Sequence, residues 1–338
     1  MFRTTIAWIA AATLALSCGK KSGETALNGS GSTFQKAFEE KAIVEFRKQS
    51  AGVKINYGGG GSGKGRQDLA DQVVDFAGSD SPYKDADLAK NKGGDVLYFP
   101  VLLGAITVAY HLEGVDKLQL SAATIAKIFA RDIKKWNDPA IAADNPGVTL
   151  PDADIIVAHR SDGSGTTDNF TKYLDAASGG AWKLKSGSTV AWPADTQAGN
   201  GNGGVAQVVQ QRAGAIGYVD LSDAKQAKLS YARVKNAAGK FIEPTSDSAS
   251  AAGEGITVKD NLIFSALDSK TEAAYPITYQ SWVIVYAKPA DAAKGAALKA
   301  YVKFLVTDAQ KLLPALNFAP LPKSLQGKAI AQLDKIQA

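Results

Sequence analysis

The chain has 338 residues, 45% of them hydrophobic, with 33 glycines and a formal net charge of +5. That is room for two domains with real cores, and it excludes disordered, collagenous and fibrous classes. The lysines are interspersed with acidic residues, which reads as a solvated surface mildly favourable to anions and not as a nucleic-acid interface.

The N-terminus, MFRTTIAWIAAATLALSCGKK, has one Arg, an apolar run from Ile6 to Leu16, then Ser17 and Cys18. This is the pattern of a secretory signal over residues 1–17. The run is too short for a bilayer-spanning helix, which needs roughly 20 apolar residues. Cys18 is the only cysteine, so it forms no internal disulfide. Its place after the apolar run resembles a bacterial lipobox, although Leu16 sits one position closer than usual. The expectation is a lipid anchor at Cys18 and a tether over 18–25. No later segment has 18 uninterrupted apolar residues, so the mature body is expected to be a soluble exported domain.

From there strands and helices alternate, which predicts an α/β architecture. ALNGSGSTF leads into the helical spacing of QKAFEEKAIVEFRKQ. VKINY is a strand, followed by a glycine-rich turn and a helix over RQDLADQVV. VDFAGSDSPY reads as a strand ending in a polar turn. LYFPVLLGAITVAYHL is long for one strand and suggests either a buried pair or a chain crossing between domains. SAATIAKIFARDIKKW is an amphipathic helix. DIIVAHR is a strand, SDGSG a turn and TTDNFTKYLDAA a helix. DTQAGNGNGG reads as a flexible loop, VAQVVQQRAG as a helix and AIGYVDL as a strand. Residues 235–262 are weakly patterned. PITYQSWVIVYAK is a strong strand, and 293–306 and 309–313 are helical.

The stretch GGGGSGKG (58–65) imitates a nucleotide-binding P-loop, but Gly65 stands where that loop needs Ser or Thr for magnesium. What survives is the physics. A glycine turn opening a helix presents free backbone N–H groups and a partial positive charge, which suits an anion. Ser62 adds a hydroxyl. The construction recurs at Ser30–Phe34 and at Ser164–Thr166, the latter beside Arg160 and Asp162. Any one alone is an ordinary helix cap; three suggest convergence on a small oxyanion.

These segments resemble the phosphate-binding proteins of bacterial high-affinity phosphate ABC transporters. GSGSTF (29–34), the glycine turn with Ser62, VDFAGSDSP (74–82), IFARDIKKWNDPAI (128–141), HRSDGSGTT (159–167), AWP (191–193) and GAIGYV (214–219) occur in that family's order and spacing. The likeness is specific from about Leu27 to Asp220 and looser beyond. It implies a two-lobed, type II Venus-flytrap fold with two hinge strands, one phosphate in the interlobe cleft, and a monomer that docks on permease subunits. Lobe 1 would comprise 26–105 plus 280–338 and lobe 2 106–279, with crossings near 104–110 and 276–284. By resemblance, Ser32, Thr33, Phe34, Ser62, Asp80, Arg160, Asp162, Ser164, Gly165 and Thr166 form the phosphate site, with no cofactor or metal. Lys64 and Ser32 depart from the family's usual residues.

The residue types suit that ligand. A buried dianion needs many donors, and Arg160 offers a planar fork for a tetrahedral oxyanion. Ionised Asp80 only accepts, so it selects an anion that carries a proton and faces sulfate with an unpaired acceptor. The alternatives are another oxyanion or a secreted hydrolase. Only His111 and His159 could serve as catalytic bases, and DGSGT lacks the first glycine of the GxSxG turn. No metal-ligand cluster is recognisable. The expectation is a binding protein and no enzyme.

Overall fold

The computed structural model describes residues 24–337. Cys18 and the expected signal segment lie outside them. Strand β1 (Thr25–Gly31), α1 (Lys36–Gln49), β2 (Val53–Gly59), α2 (Ser62–Ala70) and β3 (Phe76–Ser79) open the chain. A short α3 (Asp85–Leu88) precedes β4 (Val96–Tyr110). Next come β5 (Gln119–Leu120), α4 (Ala122–Phe129), α5 (Pro139–Asp144), β6 (Ile156–Arg160) and α6 (Gly165–Ala177). Then follow β7 (Gln197–Gly199), α7 (Gly201–Gln211), β8 (Ala215–Asp220), α8 (Leu221–Gln226), β9 (Ser230–Tyr231), β10 (Arg233–Lys235), β11 (Phe241–Ile242) and α9 (Ser246–Ala252). Strand β12 (Thr278–Tyr286), α10 (Ala292–Val306) and α11 (Lys323–Gln332) close the chain.

The main sheet runs β2-β1-β3-β12-β4-β8-β6-β7, with β9 also on β4, and a small sheet runs β11-β10-β5. The apolar stretch that suggested a strand pair or a crossing is one 15-residue strand, β4. Val96–Ala105 pair with β12, whereas Ile106–Tyr110 pair with β8. One strand thus belongs to both halves of the sheet. Its register slips opposite Ser281 and Trp282, beside Pro100. Proline has no N–H to give the ladder and is tolerated at such an irregularity.

Three expected elements differ. Helix α2 starts at Ser62, inside the glycine run, and ends at Ala70. Gly65 lies on its inner face, where a Cβ would come within 2.5 Å of Gly31 Cα and 2.6 Å of the Ser30 carbonyl. The glycine is there for close helix-on-strand packing, not for a flexible turn. Helix α4 ends at Phe129, two residues before Arg131 turns to a φ of 65°. The flexible loop expected over DTQAGNGNGG is instead β7 and the first turn of α7. Gly199 there packs against Gly204 too closely for any side chain.

Helix α1 buries Phe38, Ala42 and Phe46, and with them Glu39. The Glu39 carboxyl accepts a hydrogen bond from Tyr301 at 2.5 Å. Burial pushes it up to about 7 from 4.5. The folded protein therefore keeps a proton that the unfolded chain has lost. Stability from this group is whole below about 4.5 and falls as pH rises to about 7, by roughly 3 kcal/mol on the ordinary linkage scale. Glu39→Gln should raise stability over wild type at about pH 8 and give no gain at about pH 4.5. Urea denaturation at both pH values checks this.

Candidate functional site

The loops after β1, β3 and β6, the starts of α2, α6 and α7, and the middle of β12 meet at one place. Asp80 is 2% exposed there. Its Oδ1 accepts from Ser32 Oγ at 2.6 Å and from Ser281 Oγ at 2.6 Å. Its Oδ2 accepts from Ser62 Oγ at 3.0 Å and shares the Ser32 hydroxyl at 2.8 Å. Ser62 Oγ also accepts from the Asp80 N–H. Asn169 donates to the Asp80 carbonyl. Burial pushes the Asp80 carboxyl up; the hydroxyls of Ser281, Ser32 and Ser62, and then Arg160, pull it back.

Arg160 is held from three sides. Nε and NH2 donate to the two Asp162 oxygens at 2.7 and 2.5 Å, a bidentate fork. NH1 donates to Asn202 Oδ1 at 2.7 Å, and Thr166 Oγ1 lies 3.5 Å away. The guanidinium side chain is 1% exposed. Burial works against the Asp162 charge, but the Arg160 pair outweighs it and holds that carboxyl below its usual range. Such a fork fixes the cation in orientation as well as charge.

Ser164 caps α6, its hydroxyl accepting from the Thr167 N–H at 3.0 Å. The N–H groups of Gly165 and Thr166 find no acceptor among the described residues, as expected at a helix start. A Cβ on Gly165 would fall 2.4 Å from Ser62 Oγ and 2.8 Å from Asp80 Oδ2. Helix α6 and Asp80 come this close only because residue 165 has no side chain. Thr33 lines a cleft of about 380 Å³ together with Gly60, Asn200 and Gly201. Its hydroxyl accepts from the Asn202 N–H at 3.3 Å. The Phe34 ring packs on Tyr279 and Phe318, and Phe34 borders the same cleft as Thr33.

All ten expected residues therefore border one region. Lys64 does not take part: it is exposed and paired with Asp68 at 2.8 Å. Four further residues join the site. Ser281 and Tyr279 come from β12, with the Tyr279 hydroxyl 3.2 Å from Thr166 Oγ1. Asn202 opens α7 and links Arg160 to Asp220 through its Nδ2 at 2.8 Å. The visible signal for Ser281 is a small hydroxyl in the polar first half of a strand whose second half is apolar. For Asn202 it was a polar side chain just after Gly201, at a fourth helix start hidden in the glycine run.

The two halves of the molecule touch across this region. Gly63 N–H donates to the Gly163 carbonyl at 2.8 Å, and Asn169 reaches the Asp80 loop. Neither histidine hydrogen-bonds a serine among the described residues. His159 Nδ1 meets the Arg160 carbonyl, and the buried Nδ1 of His111 has no partner among the described residues.

Residues 19–309 match the model of the PBP superfamily domain, the class of two-lobed α/β solute-binding proteins. The phosphate-binding protein PstS of Xylella fastidiosa (strain Temecula1) is 37% identical over 307 residues, covering 88% of this chain and 82% of its own length. PstS of Pasteurella multocida (strain Pm70) is 34% identical over 312 residues, covering 90% and 89%. A phosphate-bound high affinity periplasmic phosphate-binding protein, PfluDING, superposes with a TM-score of 0.76 at 21% identity, covering 91% and 94%. The chain belongs to the PstS family of phosphate-binding proteins within that superfamily. That family consists of transporter substrate-binding proteins and not of enzymes.

Proposed function

We propose that this protein binds one inorganic phosphate between its lobes and delivers it to the permease of an ABC transporter. The supporting observation is the pairing of unlike groups in one buried place. Arg160 and the start of α6 offer charge and donors for an oxyanion. Asp80, among three serine hydroxyls, offers an acceptor that only a protonated anion can use. Fully ionised sulfate would meet that acceptor with another acceptor.

The site comprises Ser32, Thr33, Phe34, Ser62, Asp80, Arg160, Asp162, Ser164, Gly165 and Thr166. Asp162 holds the Arg160 fork, and Phe34 contributes its backbone. The lobes are 26–105 with 280–338, and 106–279. Strand β4 supports this division, since its ladder passes from β12 to β8 near residue 105. The protein is exported, anchored through an acyl chain on Cys18, and works as a monomer in the cell envelope. Among the described residues no helix is long and apolar enough to cross a membrane.

A thermal-shift panel of phosphate, arsenate, sulfate and molybdate tests the reading. A ligand specific to the native state raises its stability by mass action, about 2.7 kcal/mol at a hundredfold excess over Kd. Phosphate and arsenate should shift the transition, and sulfate should not. A larger shift with sulfate or molybdate would refute the assignment.

A further inference from the structure

Ser62 of the glycine run turns to Asp80, but the Gly63 N–H beside it has another use. It lies in the first turn of α2, where an N–H has no partner within its own helix. It donates to the Gly163 carbonyl, on the turn between β6 and α6, at 2.8 Å. Among the described residues this is the one backbone-to-backbone hydrogen bond, outside the main sheet, between residues 26–105 with 280–338 and residues 106–279. The approach is close. A Cβ on Gly63 would lie 3.0 Å from the Gly163 carbonyl oxygen and 3.3 Å from its Cα. A Cβ on Gly61 would overlap Asp162 Oδ2, which accepts from Arg160. A Cβ on Gly163 would lie 3.5 Å from Gly63 Cα, an ordinary contact. Gly63 has no positive φ, so its own backbone suits any residue. What keeps it a glycine is the neighbour across the gap.

The site behind this contact is shut. Ser32, Ser62, Asp80, Arg160, Ser164 and Thr166 are all buried, so a ligand enters or leaves only when the two halves part. Strand β4 keeps them joined, because its ladder passes from β12 to β8. The Gly63–Gly163 bond is outside that ladder and can break while the ladder stays whole.

We propose that the Gly63–Gly163 backbone bond is the latch that keeps the two halves shut over bound phosphate, and that residue 63 is a glycine so that this bond can form. Gly63 is a positioning residue: it acts on the ligand by setting how far the halves close. This rests on the phosphate reading above and adds to it which contact governs release. On opening, water replaces both partners, so the bond is worth little net and suits a reversible closure. A methyl group at residue 63 meets the Gly163 carbonyl before closure is complete. The halves then stop short, and the Asn169 bond to the Asp80 carbonyl, 2.7 Å long, is stretched with them.

The test is phosphate binding and release by Gly63→Ala and Gly63→Leu. Alanine and leucine are better helix formers than glycine, so the ligand-free variants should melt no lower than wild type. Kd should nevertheless rise, roughly five- to tenfold for alanine, on the order of one hydrogen bond, and further for leucine. The rise should lie in faster release of labelled phosphate at a nearly unchanged association rate, because encounter precedes latching. Gly163→Ala should cost less than Gly63→Ala. Lys64→Ala, on the exposed side of the same helix, should bind as wild type. At saturating phosphate, small-angle scattering should find Gly63→Leu more extended than wild type. Alanine alone decides the case if leucine does not fold. Release as slow as in wild type overturns the latch, and so does a loss of affinity carried by slower association or by a lower melting temperature of the ligand-free variants. Each of these leaves phosphate binding by wild type intact. Absence of that binding overturns the phosphate reading itself, and the latch with it.

Discussion

Arg160→Ala is expected to weaken phosphate binding at least thirtyfold, the low end of the roughly 2–5 kcal/mol that removing one partner of a buried charge pair costs. The size follows from burial. An exposed Arg–Asp pair contributes about 0–1 kcal/mol, but this guanidinium is 1% exposed and forks onto Asp162 at 2.7 and 2.5 Å. Its loss removes the cation for the ligand. It also leaves Asp162 with the Gly201 N–H at 3.0 Å as its remaining partner outside its own loop. A negative charge near an anion site then repels the ligand. Arg160→Lys should recover part of the affinity, because the charge returns without the planar fork. Calorimetry on folded variants measures both, and wild-type affinity in the alanine variant would sink the site assignment.

Asp80→Asn should reduce the preference for phosphate over sulfate by tenfold or more. The substitution keeps the shape but replaces one acceptor with an N–H donor. Phosphate loses the partner for its proton, and a buried polar group left unpaired costs about 1–3 kcal/mol. Sulfate no longer faces a carboxylate and gains relative to phosphate. The serine hydroxyls of residues 32, 62 and 281 can rotate, so the variant need not lose the fold. Titration of both anions near pH 8 decides it. An unchanged ratio would mean that Asp80 only ties the β3 loop to its neighbours.

Much of the site could be read from the chain because three of its parts are local. A hydroxyl run before a helix, as at Ser32–Phe34 or Ser164–Thr166, is a signal carried by adjacent residues. So is the spacing of Arg160 and Asp162. What escaped is what the fold brings from far away. Ser281 lies 201 positions from Asp80, and nothing local marks its hydroxyl as that carboxylate's partner. Asn202 was hidden for a different reason. Four glycines in eight residues look flexible, yet Gly199 and Gly204 are required by close backbone packing. The same confusion placed the start of α2 four residues late, since Gly63 and Gly65 lie inside the helix. The alternation of strands and helices did announce the α/β architecture. The two-sided pairing of β4 was only one of two options for a stretch of that length.

The position of β12 in the sheet bears on how the chain reaches its native state. This strand is the penultimate long apolar segment, yet it lies between β3 and β4. Until residues 278–286 arrive, β3 and β4 each present an unpaired edge, and the first half of the sheet stays split. Pairings of such long sequence separation slow folding, and open edges invite strands from other chains. A growing or truncated chain ending before Thr278 therefore cannot complete its central ladder. It stays threadable, and it is hazardous if left unattended. The last-made strand acts as the clasp: the molecule commits to its compact state only once nearly all of it exists.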